Sequence, residues 1–248
     1  MATNPPTKTT KTCQYAQIDG ESKGFWTALV ALGAMILVGL GSAYYMEHSG
    51  HWVTGMNNHV LWGMPHVFAV FLIVAASGAL NVASIAGVFE RKIYKPLARL
   101  SGVLAISLLV GGLVVLVLDL GRPDRLIVAM TTYNFKSIFA WNVILYSGFV
   151  VIVAAYVYTM MSRRAQKIYR PAAVGAFLWR LLLTTGTGSI FGFLVAREAY
   201  SSAIMAPMFI AMSLVFGKAV FMLYLLSLSK ATGRPVLPVF ILDDNAPG

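Results

Sequence analysis

Eight polar and aromatic residues near the ends of three consecutive apolar segments have side chains suited to a ligand with a polar ring. They are His59, Trp62, His66, Asp119, Arg122, Tyr133, Asn134 and Trp141. An imidazole can donate a hydrogen bond to a carbonyl group and relay a proton near neutral pH. A quinone requires hydrogen-bond donors for its carbonyl groups, a proton carrier for its two-electron chemistry and an apolar slot for its ring. The set is compatible with a quinone site, and equally with a bundle end that binds nothing.

Three ionisable residues fall at the end of an apolar segment or inside one, where a charge is costly and suggests a function. Asp119 is either a proton carrier or a helix-end carboxylate paired with Arg122 or Arg125. Lys218 falls near the middle of the last apolar segment. We expect its side chain to face the bundle interior, either in a contact between helices or on a proton path that includes Asp119. Arg180 allows the same two interpretations.

Metal and haem sites are not predicted. His48, His51 and His59 lie in or near one loop and lack the spacing of a metal motif on a helix. The single cysteine, Cys13, cannot form an internal disulfide, a thiolate zinc site or an iron–sulfur cluster. A bis-histidine haem requires two histidines at membrane depth, and only His66 comes close to that position.

Long apolar segments must position these residues. The chain has 248 residues, of which 58% are hydrophobic and 11% are charged, and its mean hydropathy is +0.74. A soluble domain carries roughly 25% charged residues. The pattern predicts six spans, at about 24–46, 65–89, 96–120, 137–161, 173–196 and 203–228, each long enough to cross ~30 Å of hydrocarbon. The predicted fold is an all-α, polytopic transmembrane helix bundle.

The basic residues predict the orientation of these spans. Most Lys and Arg residues lie in the N-terminal tail, the second loop, the fourth loop and the C-terminal segment, and the first loop has none. The positive-inside rule then predicts a cytoplasmic N-terminus, and it places the histidine-containing first loop and the loop of Arg122 outside. Because the basic residues flank apolar segments, the net charge of +10 does not indicate binding to nucleic acid.

The stretch from Asn57 to Trp141 resembles the quinone-interacting membrane subunits of the polysulfide reductase/NrfD type. Three places carry the resemblance: Trp62-Gly63, which opens a span that continues to Ala75-Ala76-Ser77-Gly78-Ala79; Leu118-Asp119-Leu120-Gly121-Arg122-Pro123-Asp124-Arg125; and Asn134-Phe135-Lys136-Ser137 followed by Trp141. The second place is the most specific. The additional N-terminal span and the residues around His66 look most like the DsrP branch of dissimilatory sulfur-metabolising bacteria.

The resemblance implies a subunit of the bacterial inner membrane without haem or iron–sulfur cluster of its own. Such subunits bind menaquinone or ubiquinone near the outer face, beside a periplasmic ferredoxin-like iron–sulfur protein. The family's acidic residue at or near the quinone site maps onto Asp119, and the start of the preceding helix offers His59 and His66. For the DsrP branch, a multihaem cytochrome c and further membrane redox subunits are implied as partners.

The resemblance also implies a domain organisation, because family members usually have eight to ten spans in two four-helix bundles. On that pattern the chain has a polar cytoplasmic tail (1–23), an additional transmembrane helix (24–46), a four-helix bundle (63–196), a sixth transmembrane helix (203–228) and a C-terminal tail (229–248). The predicted function is quinone binding and electron exchange with a periplasmic partner, as a non-catalytic subunit of an oxidoreductase complex. The alternatives are an ion or solute transporter and a cofactor-free membrane anchor for redox subunits.

Overall fold

The computed structural model describes residues 23–57, 59–60, 62–91, 94–118, 120, 123–194, 198 and 201–232. Within these ranges the chain forms α-helices and short 3-10 helices, and no β-strand is found. The helices are α1 (Lys23–Ser49), α2 (Met64–Ala79), α3 (Asn81–Gly87), α4 (Lys95–Leu118), α5 (Leu126–Thr131), α6 (Ile138–Met161), α7 (Tyr169–Gly192) and α8 (Met205–Thr232). The 3-10 helices are His51–Thr54, Pro123–Arg125 and Arg163–Ile168.

Six helical stretches are long and apolar enough to cross a membrane. They are Lys23–Ser49, Met64–Gly87, Lys95–Leu118, Ile138–Met161, Arg163–Gly192 and Met205–Lys230. The predicted all-α fold with about six spans is confirmed. Three details differ from the prediction: α7 begins at Tyr169 rather than near residue 173, the short helix α5 precedes α6, and the second span is divided into α2 and α3. The earlier start of α7 follows from the 3-10 helix, which leads directly into its first turn.

The described chain divides into two units, residues 23–42 and the residues from Ala43 onward. The first unit is the N-terminal part of α1, and it contains no charged residue after Lys23. The second unit contains the other seven helices. Within it, α2 packs against α4, α7 and α8, and α6 packs against α4 and α7.

The span made by α2 and α3 lies at the centre of the second unit. Of the residues in its most apolar 18-residue stretch, 67% are buried, whereas the corresponding share in the other spans of this unit is 28–33%. Gly78 of α2 and Gly217 of α8 allow the closest approach: a Cβ atom added to Gly78 would lie 2.9 Å from the Cα atom of Gly217 and would overlap the carbonyl group of Ser213. Small residues at such crossings let membrane helices approach closely enough for extensive van der Waals contact.

This central span is interrupted between α2 and α3. The hydroxyl group of Ser101 in α4 donates to the Ala79 carbonyl at 2.7 Å and accepts from the Ala83 amide at 3.1 Å. These two backbone groups would bond to each other in an uninterrupted helix. The side-chain amide of Asn81 donates to the Gly78 carbonyl at 2.7 Å. The pairing is required because an unsatisfied backbone group away from water costs several kcal/mol.

Candidate functional site

The contacts between helices show which residues share an end of the bundle. The side-chain amide of Asn142 near the start of α6 donates to the carbonyl of Gly186 near the end of α7 at 3.2 Å. Gly188 of α7 packs against Ala206 at the start of α8. Gly112 late in α4 packs against Ala69 early in α2. The starts of α2, α6 and α8 therefore lie with the ends of α4 and α7, and we call this the His66 end. The opposite end, with the start of α4 and the end of α6, is the Arg99 end.

Four rings meet at the His66 end, and we call them the His66 aromatic cluster. The indole of Trp62 stacks on the imidazole of His66, with ring centroids 5.8 Å apart and an interplanar angle of 8°. The ring of Phe191 meets the indole edge-on at 5.0 Å and 87°. Phe209 lies 5.1 Å from Phe191 and is 5% exposed. The cluster has a buried apolar side and a half-buried imidazole, which is a hydrogen-bonding group beside a wall of rings.

Local sequence explains how the cluster is held. Gly63, the N-cap residue of α2, has extended backbone torsions, and Pro65 occupies the first helical turn. Trp62 directly precedes this N-cap residue and His66 lies in the first turn of α2, so the two rings meet across the start of the helix. On the other side, Gly188 and Gly192 bring α7 against the chain that enters α8. A Cβ atom at Gly192 would lie 2.9 Å from the Ser202 carbonyl oxygen.

A second group of aromatic residues, the Trp141 cluster, lies between α5 and α6. The ring of Tyr133 stacks against Phe135 at 6.0 Å, and Phe135 lies 5.9 Å from Trp141. The indole N–H of Trp141 donates to the Phe135 carbonyl at 3.0 Å, and the amide of Lys136 donates to Asn134 Oδ1 at 3.1 Å. The rings are exposed. Because the indole donor and the Asn134 oxygen already pair within the turn, this cluster offers fewer groups to a ligand.

The remaining residues of the predicted set are His59, Asp119 and Arg122. His59 is exposed in the loop before α2, and its backbone amide donates to Asn57 Oδ1 at 2.8 Å. Asp119 and Arg122 lie outside the described residues. Their predicted roles at a quinone site stay predictions.

Lys218 corrects an expectation from the sequence. Its side chain is exposed on the surface of α8, so the expectation that it faces the bundle interior is wrong. The physical reason is the neighbouring residue: Gly217 faces α2, and one residue along an α-helix turns by about 100°. The part that Lys218 was predicted to play in a proton path stays a prediction.

Arg180 is the buried charged residue of the described spans. Its side chain is 3% exposed and its guanidinium carbon lies 5.0 Å from the ring centroid of Phe177. Its Nη1 donates to the Ser77 carbonyl at 3.5 Å, and the Ser77 hydroxyl donates to the Arg180 carbonyl at 3.1 Å. The phenol of Tyr156 donates to the Ala83 carbonyl at 2.8 Å. Backbone carbonyl groups near the interruption thus accept hydrogen bonds from side chains. In a transporter, carbonyl groups of a broken helix coordinate the ion instead.

Phe191 and Phe209 were not among the site residues predicted from the sequence. Both fall near the ends of the fifth and sixth predicted spans, on the same predicted side of the membrane as the first loop. Their predicted depth in the membrane was therefore a signal for placing them near His66. An aromatic residue at that depth is expected in any membrane helix, however, because aromatic belts form at both interfaces. Only the packing of α7 and α8 against the start of α2 distinguishes these two rings from others.

The histidines before α2 do not gather with other metal-binding groups in the described chain. His48 stacks on Tyr44, with ring centroids 6.2 Å apart and an interplanar angle of 3°. His51 begins the 3-10 helix His51–Thr54. Within the ranges that the structure describes, no three His, Cys, Asp or Glu side chains lie close enough together to hold a metal ion.

The fold and this site define a polytopic helical membrane protein with a polar aromatic group at one end of its bundle. The sequence model of the family described as "Polysulphide reductase, NrfD" matches residues 52–236. The chain belongs to the NrfD family, and the predicted family is confirmed. No solved structure matches the chain.

Two relatives show how far the similarity extends. The Hdr-like menaquinol oxidoreductase integral membrane subunit of Archaeoglobus fulgidus is 30% identical over 228 residues, which are 92% of this chain and 57% of the relative. A selenate reductase subunit of Mesobacillus selenatarsenatis is 24% identical over 234 residues, covering 79% of this chain and 55% of the relative. The chain therefore spans little more than half the length of these relatives.

Proposed function

We propose that this chain is the membrane subunit of a quinone-dependent redox complex and that it binds the quinone at the His66 aromatic cluster. The observation that supports the proposal is the stacked pair of Trp62 and His66, closed on its inner side by Phe191 and Phe209. Membership in the NrfD family and similarity to a relative named as a menaquinol oxidoreductase membrane subunit point in the same direction.

The residues of the cluster fit the chemistry of a quinone. A bound quinone takes up two electrons and two protons when it becomes quinol. The imidazole of His66 is half-buried and can donate a hydrogen bond to a carbonyl oxygen or hold a proton near neutral pH. The rings of Trp62, Phe191 and Phe209 are apolar neighbours against which a quinone ring can pack. Asp119, which the family resemblance relates to the quinone site, would add a second proton-holding group.

We further propose that the His66 end faces the periplasmic side of a prokaryotic cytoplasmic membrane, the inner membrane if the source is a Gram-negative bacterium. The Arg99 end carries most of the basic residues, and it would lie on the cytoplasmic side by the positive-inside rule. Within the described residues they are Arg91, Lys95, Arg99, Arg163, Arg164, Lys167, Arg170 and Lys230. A cytoplasmic N-terminus follows when α1 also crosses the membrane.

The redox partner in this proposal is an iron–sulfur protein that docks at the His66 end. The physical reason is distance, because electrons must pass between the partner and a quinone bound at that end without an intermediate carrier in this chain. A multihaem cytochrome c and further membrane redox subunits would complete the complex, as the DsrP-like sequence features suggest. The chain by itself would then bind quinone and catalyse no net reaction.

A quinone titration on the purified chain in detergent tests the proposal. A soluble naphthoquinone analogue should bind saturably and quench tryptophan fluorescence. His66→Ala should weaken binding about tenfold, because one lost hydrogen bond to the ligand corresponds to about 1.4 kcal/mol. Trp62→Phe should reduce the fluorescence change, since the stacked indole reports on the site.

Tyr133→Phe is the matched control, because it removes a hydroxyl group from the Trp141 cluster at the same end of the bundle. It should change the dissociation constant less than twofold. Asp119→Asn should weaken binding if the family resemblance assigns that residue correctly. If the wild-type chain bound no quinone, the proposal would fail, and the membrane-anchor alternative would stand. If Tyr133→Phe weakened binding and His66→Ala did not, the site would belong to the Trp141 cluster instead.

A further inference from the structure

A cavity of about 140 Å³ opens between helices at the Arg99 end of the bundle. It is lined by Lys95, Arg99, Thr159, Met160, Gln166 and Tyr169. The lining comes from the first two turns of α4, the last turn of α6, the 3-10 helix that follows and the first residue of α7. Because these elements begin or end there, the cavity lies at the depth where lipid headgroups meet the ends of membrane helices.

Two cations define the electrostatics of this cavity. Lys95 and Arg99 are four residues apart in α4 and therefore lie on one face of the helix. Both are exposed, and neither forms an ion pair with another residue in the described part of the chain. Glu90, the acidic residue at this end in the described ranges, instead lies 3.4 Å from Arg170, measured from Oε1 to Nε. The positive charge of the pair is thus not neutralised by the described residues.

The other lining groups add a chemistry that suits a phosphodiester. The side-chain amide of Gln166 is a neutral hydrogen-bond donor, whereas the Thr159 hydroxyl is used to donate to the Tyr156 carbonyl at 2.7 Å. Met160 gives the cavity an apolar wall. A water molecule occupies about 30 Å³ in the liquid, so the cavity has room for a group several times larger than one water.

We propose that this cavity binds the phosphodiester headgroup of an anionic phospholipid, with Lys95 and Arg99 as its cationic ligands. Basic pockets between membrane helices on the cytoplasmic side are suited to such headgroups. Free phosphate shares the tetrahedral oxygens and the negative sign of the charge. The lipid is favoured because the cations stand at the first turns of a membrane span and the cavity has an apolar wall. The site is at the opposite end of the bundle from the His66 aromatic cluster, and the proposal does not depend on the quinone.

Binding of a fluorescent short-chain phosphatidylglycerol to the full chain in neutral detergent tests this proposal. The Lys95→Gln/Arg99→Gln double variant should bind it about 30-fold more weakly, given the usual attraction of two basic residues to an anionic membrane surface. Arg163→Gln/Arg164→Gln is the matched control: it removes the same charge at the same end, from residues outside the cavity, and should weaken binding less than about threefold. Phosphatidylcholine should bind far more weakly than phosphatidylglycerol.

A further variant protects the test against a general loss of structure. Gln166→Glu keeps both cations and adds a carboxylate to the lining, and it should weaken phosphatidylglycerol binding about tenfold. Equal losses in the two double variants would mean diffuse attraction to a basic surface, and would overturn the proposal. So would equal binding of phosphatidylcholine. If inorganic phosphate displaced the lipid as effectively as unlabelled phosphatidylglycerol does, the cavity would be a site for a free anion and the lipid assignment would be wrong.

Discussion

Replacing Ser101 with alanine tests whether one hydroxyl group holds the interruption of the central span. Ser101 is 0% exposed, and its hydroxyl bonds to the Ala79 carbonyl at 2.7 Å and the Ala83 amide at 3.1 Å. Alanine removes both bonds. Hydrogen bonds between membrane helices contribute about 0.6 kcal/mol on average and up to about 1.7 kcal/mol each. Two such bonds lead us to expect a loss of about 1 to 3 kcal/mol in the free energy of unfolding.

The measurement is a reversible unfolding titration with dodecyl sulfate in mixed micelles, together with hydrogen exchange of the peptide that contains Ala83. Ser107→Ala is the matched control in the same helix. The Ser107 hydroxyl is exposed and donates to the Val103 carbonyl of its own helix at 3.0 Å. Its removal should change the free energy of unfolding by less than about 0.5 kcal/mol. Exchange at Ala83 should accelerate only in the Ser101 variant.

Equal stability of the two variants, with slow exchange at Ala83 in both, would refute the reasoning. That result would show that the Ala79 carbonyl and the Ala83 amide bond directly to each other once the hydroxyl is gone. The interruption would then be a consequence of the serine side chain rather than a feature that the surrounding packing requires.

Two further predictions concern the buried face of the central span. Gly78→Ala should lower the free energy of unfolding by about 3 kcal/mol or more in the same assay, since its Cβ atom would lie 2.9 Å from Gly217 Cα and backbone cannot yield as a side chain can. Gly175→Ala in α7 is the control, because nothing lies within 4 Å of an added Cβ atom there. It should leave the free energy of unfolding unchanged or raise it by up to about 1 kcal/mol. A similar loss of stability in both variants would contradict the tight crossing. Arg180→Met should leave the free energy of unfolding unchanged or raise it, because it removes a buried charge whose hydrogen bond to the Ser77 carbonyl is long, at 3.5 Å. A loss above about 2 kcal/mol would show instead that the guanidinium is a strong structural donor.

Much of the candidate site could be anticipated from the chain alone. Trp62 and His66 both belong to the set predicted at the ends of the spans, and the structure brings their two rings into a stack. Tyr133, Asn134 and Trp141 follow one another closely in sequence and form their own group. The division of the predicted set into two clusters was not foreseeable, because a shared depth in the membrane does not specify which helices are neighbours.

The two residues that complete the site, Phe191 and Phe209, lie in α7 and α8, outside the spans whose ends carry the predicted set. Phe191 contacts Trp62 and Phe209 contacts Phe191, because Gly188 and Gly192 let α7 pack closely against the chain that enters α8. Nothing local to either phenylalanine signals that arrangement. The position of Lys218 was likewise undetermined, since hydropathy gives the depth of a residue in a span and not the side of the helix that it occupies.

By itself the sequence determined the number of spans, their approximate ends and the family of the chain. The number and the ends of the spans are local properties, because a run of apolar residues must form its backbone hydrogen bonds within one helix wherever it crosses a membrane. The family is readable from the short motifs that carry the resemblance. The tertiary structure alone decided where the central span is interrupted and which groups pair there. Those bonds join α2 and α3 to distant helices, as between Ser77 and Arg180, which are 103 residues apart. No local pattern encodes such a partnership, because it exists only when separate helices pack at one place.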